Sequence, residues 1–184
     1  MIYYLVILIY LSFVPDFYLW PVESEASTNQ LVKSKNFSIA QKIFIVFLFL
    51  ISLISYLSPL VLSVFKLARN ADSGINILAF SGISISIIGR LISIKSALIL
   101  KDNYRHVLVS NSFFKWSRNP IVMGLHLTFI GMLLIFPGWF LFLGFLIYAV
   151  NIHYKILIEE KWLINKFGNS YVNYSKSTPR YIFL

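Results

Sequence analysis

Seven acidic residues stand against sixteen basic ones, and after Asp102 the only acids are the adjacent Glu159 and Glu160. One reading of this doublet is a solvated helix end paired with Lys155 or Lys161. The other is a site for a cationic or polyhydroxyl ligand, because carboxylates accept hydrogen bonds from ammonium groups and from ribose hydroxyls. Upstream, Arg118-Asn119-Pro120 opens an apolar run. Proline suits the first turn of a helix, where its missing N–H is no loss. Arg118 and Asn119 are therefore expected at a helix lip. Unpaired backbone N–H groups and the positive dipole end favour an anion there, either a carboxylate or a phosphate. Interfacial snorkelling of the arginine is the plainer alternative. Arg90, with Lys95 about one turn on, falls inside another apolar run, and charge at such depth faces a partner or a polar cavity. His126 and His153 fall at matching depths on consecutive runs. That placement suits two haem ligands, although histidines in helical bundles are more often packing residues.

Composition limits the elements that can hold these groups. The chain has 184 residues, of which 58% are hydrophobic, 17% aromatic and 12% charged; soluble domains carry about 25% charged residues. Several apolar runs approach or exceed the ~20 residues that cross a bilayer. The expectation is an all-α, multi-pass transmembrane helical bundle of about five spans with a C-terminal interfacial helix. The spans fall at 2–20, 39–65 (kinked by Pro59), 74–100, 120–136 and 139–158. Polar stretches at 21–38, 66–73 and 101–119 join them, and Pro137-Gly138 makes a tight break. So short a break makes the last two spans antiparallel neighbours, which brings Arg118-Asn119 and Glu159-Glu160 to one membrane face. From Lys161 to Phe167 an amphipathic interfacial helix is expected, ended by Gly168 as its C-cap. A Tyr-rich extension follows.

The net charge of +9 is spread over loop ends and the tail. No basic face with interleaved aromatics stands out, so no nucleic acid is expected as a partner. The lysines and arginines concentrate in 21–42, the connector and the tail, whereas the opposite side holds Lys66 and Arg69. By the positive-inside bias, connector and tail face the cytosol. Zero cysteines exclude disulfides, thiol nucleophiles and Cys-based metal sites. The sequence holds no HExxH pattern, Gly-rich nucleotide loop or catalytic triad, and no metal site is expected. The opening M-I-Y-Y-L-V argues against a removable signal peptide.

From His106 to Gly124 the chain reads H-V-L-V-S-N-S-F-F-K-W-S-R-N-P-I-V-M-G. This resembles the signature of the isoprenylcysteine carboxyl methyltransferases and phospholipid methyltransferases, roughly H-x-L-V-x-x-G-x-Y-x-x-x-R-H-P-x-Y-x-G. The later stretch E-E-K-W-L-I-N-K-F-G-N-S-Y-V-N-Y, followed by Pro179-Arg180, is similar to the same group's ending. The specific match covers about 106–180; the first hundred residues are similar in hydropathy alone. Four positions depart from the signature: Ser112 replaces Gly, Phe114 replaces Tyr, Asn119 replaces His and Val122 replaces Tyr.

The apolar runs make 1–100 an N-terminal region of three spans, and the resemblance implies a methyltransferase-like catalytic region over 101–184. It implies S-adenosylmethionine as cofactor, entering from the cytosol, and a lipophilic methyl acceptor arriving from the bilayer. That acceptor would be a carboxylate, an amine or a hydroxyl. Arg118, Asn119 and Glu160 are then the catalytic candidates. The cofactor candidates are His106, Leu108, Val109, Phe114, Trp116, Arg118, Asn119, Pro120, Glu159 and Glu160. Glu159-Glu160 suit the cofactor's ammonium or ribose diol, Arg118 its carboxylate, and Phe114 or Trp116 its base. Two rivals remain: an NAD(P)H-dependent membrane lipid reductase of related architecture, and a haem-binding or structural membrane protein built on the two histidines. The reductase would need more Arg and Lys than the connector supplies.

Overall fold

The computed structural model describes residues 1–16, 38–69, 76–103 and 107–181. The loop expected over 21–38 lies outside them but for Ser38, as do residues 70–73 of the next loop and His106. Among the described residues there are helices and no strand. They are α1 (Ile2–Leu11), α2 (Ile39–Ala68), α3 (Ile77–Asn103), α4 (Pro120–Ile135), α5 (Trp139–Phe167) and α6 (Asn169–Ser177), with a 3-10 turn at Ser112–Lys115.

Local chemistry explains where these helices start and how they continue. A capping box opens α2: the Gln41 N–H donates to Ser38 Oγ at 3.2 Å, and the Ser38 N–H donates to Gln41 Oε1 at 2.8 Å. Pro59 lies inside α2. It supplies no N–H to the Ser55 carbonyl, and the Ser58 hydroxyl donates there instead at 2.7 Å. The helix therefore runs through Pro59 unbroken.

α2, α3 and α5 are long and apolar enough to cross a membrane. The segment Ile2–Asp16 and α4 are shorter apolar helices; the 16 residues of α4 rise only about 24 Å. Three of the five expected spans thus have full spanning length among the described residues. α5 corrects the expected boundary at Ile158. It continues without interruption to Phe167, so Lys161–Phe167 is its last two turns and no separate interfacial helix begins there. Lys, Trp, Leu and Asn keep helical bonding as well as the apolar residues do, and only Gly168, at φ +55, turns the chain into α6.

Two kinds of packing set the shape. α3 and α4 pair most closely, backbone against backbone, with Gly89 facing Gly124 and Gly82 facing Gly131. A Cβ placed on Gly89 would lie 2.5 Å from the Gly124 carbonyl oxygen and 2.7 Å from the Thr128 nitrogen. Hydroxyls fill the seam: Ser86 donates to the Thr128 carbonyl at 3.3 Å, and Thr128 donates to the Gly124 carbonyl at 2.9 Å. In lipid such small-residue contacts replace the hydrophobic drive that soluble helices use. α4 and α5 are kept apart by rings instead, with Phe129 lying 5.2 Å from Phe145 and 5.9 Å from Tyr148. The core Val6, Ile9, Tyr10, Phe129, Met132 and Leu141 ties α1 to both.

Gly89→Ala should force α3 and α4 apart and cost about 1–3 kcal/mol. Gly138→Ala, whose Cβ meets nothing nearer than 4.0 Å, should leave the melting temperature in detergent within about a degree of the parent. Ser112 adopts φ +53, a left-handed conformation glycine enters freely and serine does not. Ser112→Gly should therefore stabilise the chain by about 1 kcal/mol in the same thermal assay.

Candidate functional site

A cavity of about 500 Å³ lies beneath the connector, bounded by α2, α4 and α5, with mostly apolar walls. Its polar end is built by three elements that are far apart in sequence. The proline start of α4 carries Arg118 and Asn119 on its lip. The penultimate turns of α5 carry Glu159 and Glu160. The segment after α6 returns over both.

Glu160, 8% exposed, is the centre of the arrangement. Arg118 Nη1 lies 2.8 Å from its Oε1. Arg180 binds it with both arms of its fork, Nε to Oε1 at 2.9 Å and Nη2 to Oε2 at 2.6 Å. Such two-pronged pairs fix geometry as well as charge. The returning segment is stitched to the lip through its backbone. The Arg118 N–H donates to the Pro179 carbonyl at 2.9 Å. The Arg180 carbonyl accepts from Ser117 Oγ at 2.9 Å and from Asn119 Nδ2 at 3.3 Å. Tyr174 donates to the Phe114 carbonyl at 2.5 Å, which fastens α6 to the 3-10 turn.

Protonation at this end is fixed by burial and by the ion pairs. Hydrogen bonds to Glu160 hold Arg180 above its ordinary value, so it stays cationic. Burial, reinforced by the negative charge of Glu160, pushes the Tyr171 phenol up to about 12. It therefore keeps its proton at neutral pH and remains a donor.

Leu108, Val109, Phe114, Arg118, Asn119, Pro120, Glu159 and Glu160 all line the cavity. Trp116 does not: it is 72% exposed and outside the lining. The 3-10 turn carries Phe114 inward, 6% exposed, and leaves Trp116 facing out. His106 lies outside the described residues. Arg180, Tyr171 and Tyr174 were absent from the candidate set. The Pro179-Arg180 pair was visible in the motif, but nothing in its spacing pointed it at Glu160.

The remaining candidates lie deeper. Arg90 is buried and reaches α1: Nη2 bonds the Ser12 carbonyl at 2.6 Å and Asp16 Oδ1 at 2.9 Å, while Nε bonds Ser12 Oγ at 2.9 Å. Its guanidinium sits 3.6 Å over the Phe13 ring. The two histidines do not flank an open slot. Tyr181 packs against both rings, at 6.3 Å from His126 and 6.0 Å from His153, and its hydroxyl lies 3.0 Å from His153 Nδ1. The space a haem between them would need holds a tyrosine. Among the described residues no cluster of three or more His, Asp or Glu side chains forms a metal site.

Neither the curated proteins nor the solved structures contain a match to this chain. A family model does match, that of phospholipid methyltransferase, over residues 73–170. The match begins ahead of α3, crossing the boundary expected at residue 100, and it takes in α4, α5 and the acidic doublet. With more than half of its length matched and both polar motifs converging on one cavity, the chain belongs to the phospholipid methyltransferase family.

Proposed function

We propose that the protein transfers a methyl group from S-adenosylmethionine to a lipid-like acceptor, at the cytosolic end of the bundle. The observation that carries this is the convergence of Arg118, Glu160 and Arg180 at the polar end of an otherwise oily cavity. Family membership favours it over a reductase or a haem protein. Its cytosolic placement rests on the lysines and arginines of connector and tail.

The residues present fit the cofactor. Both oxygens of Glu160 are taken by guanidiniums, so its part is to position Arg118 and Arg180 rather than to meet a ligand itself. The buried Arg118 Nε has no hydrogen-bond partner among the described residues. The Arg118 guanidinium lines the cavity and suits an anionic group such as the cofactor carboxylate. Glu159, which also lines the cavity, suits the ammonium or the ribose diol. Phe114 offers a buried apolar surface for the base. When bound, S-adenosylmethionine supplies an electrophilic methyl carbon on a positively charged sulfur.

The bundle's own contribution is position and dryness. Transfer to a nucleophilic acceptor needs alignment more than a strong base. Charge is neutralised as the new bond forms, so a low-polarity wall favours the transition state over the charged ground state. The folded-back segment 178–181 is bonded to the lip of α4 and keeps Arg180 on Glu160.

Calorimetric titration with S-adenosylhomocysteine, in detergent, tests the reading. Wild type should bind. Glu160→Gln and Arg118→Ala should each weaken binding about a hundredfold, the first because it releases the two guanidiniums that Glu160 positions and the second because it removes the cation itself. Methyl transfer should fall at least as far, with the thermal melt retained. Undiminished turnover in both variants would remove the site from this place.

A further inference from the structure

α2 is held to the bundle along half of its length. The held half runs from Ser52 to Ser63, and Ser52, Ser55, Pro59 and Ser63 are all buried along it. Ser55 lies against Gly144 of α5, where a side-chain carbon on the glycine would collide with it, and its hydroxyl donates to the Phe140 carbonyl at 2.7 Å. From α1 the Tyr10 hydroxyl donates to the Tyr56 carbonyl. The other half has no such clamp. Among the described side chains of α2, none ahead of Ser52 is buried. Phe44 and Phe49 are both exposed although they point about 140° apart around the helix, so exposure is not confined to one face.

Between the two halves the backbone is short of a bond. Pro59 gives no N–H to the Ser55 carbonyl, and the Ser58 hydroxyl caps that carbonyl instead at 2.7 Å. Two more serines turn back on their own helix, Ser52 to the Phe49 carbonyl at 2.8 Å and Ser63 to the Pro59 carbonyl at 2.7 Å. Prolines and back-bonded serines are the common causes of bending in a helix. A helix clamped on one side of such a junction and unsupported on the other can bend there without giving up packing.

The unclamped half is also a wall of the cavity. Val46, Phe49, Leu50 and Leu53 line it, together with Ile152 and Ile156 of α5. From Ser55 to Ile43 the helix rises about 18 Å, so a change of about 20° in its bend carries Ile43 about 6 Å, half the width of a helix. Lipid tails are as apolar as these side chains, so no hydrophobic drive pins the wall inward or outward.

We propose that residues 39–54 of α2 form a swing arm hinged at Ser55–Pro59, and that its inward and outward positions close and open the bilayer side of the cavity. The device serves whatever molecule the cavity takes, so it stands independently of the methyl-transfer reading.

The chain has no cysteine, so spin labels can be placed in chosen pairs on the full chain. One pair is Ile43→Cys with Ile164→Cys, two exposed positions outside the cavity lining. The clamped control is Leu62→Cys with the same Ile164→Cys. Distances are read by double electron–electron resonance in phosphatidylcholine nanodiscs. The Ile43 distribution should be wider than the Leu62 distribution by about 6 Å. Pro59→Ala returns an N–H to the Ser55 carbonyl and should narrow the Ile43 pair to the width of the control. If Pro59→Ala does not fold, Ser58→Ala decides: it uncaps the same carbonyl, and should widen the Ile43 pair while leaving the Leu62 pair as it is. An Ile43 distribution as narrow as the control overturns the proposal. So does a wide one that the folded hinge variant leaves unchanged.

Discussion

One carboxylate shared by two guanidiniums holds the polar end of this molecule together. Glu160 sits on α5, Arg118 on the lip of α4 and Arg180 beyond α6, and the shared charge joins all three at one point. Two cations on one anion leave positive charge over, and the neighbouring Glu159 offsets it. The assembly is close to neutral, yet Arg118 keeps an unspent donor. The bonds to the 179–180 carbonyls from the Arg118 N–H and from the Ser117 and Asn119 side chains use the same segment twice, once for charge and once for shape.

A cavity persists in so apolar a bundle because its helix pairs are packed unequally. α3 and α4 approach as closely as backbones allow, through glycines and hydroxyls. α4 and α5 are held off by phenyl and phenol rings, and α2 leans on α5 through Ser55, whose hydroxyl donates to the Phe140 carbonyl at 2.7 Å. The short α4 is carried by α3, so it need not span the bilayer unaided. The space left over opens where the polar residues are.

The sequence made some of this legible. Arg118-Asn119-Pro120 read as a helix start because proline tolerates no other helical position so well, and Gly168 read as a helix end because only glycine enters that backbone region cheaply. Glu160 was found because acids are scarce downstream of Asp102. Other features carried no local signal. The Arg180–Glu160 pair depends on a reversal of the chain after α6 that no periodicity encodes. Phe114 and Trp116 look equivalent as aromatic neighbours until a 3-10 turn sends them in different directions. Asp16 falls within the first expected span and carries no local mark of being the partner of Arg90, 74 positions away. The helix expected over Lys161–Phe167 is there, but as the end of α5 and not as a separate interfacial element, because charged residues hold helical bonding well and nothing breaks it at Ile158.

The two polar clusters share a charge rule that explains how an oily bundle tolerates them. Charge within a membrane protein is costly unless it is paired, and removing one partner costs more than never having had the pair. Asp16 and Arg90 cancel, and Glu159 and Glu160 cancel Arg118 and Arg180. Asp16 with Arg90, and Glu160 with its two guanidiniums, thus carry their charge into the bundle already paired, which is what an apolar surround demands of it.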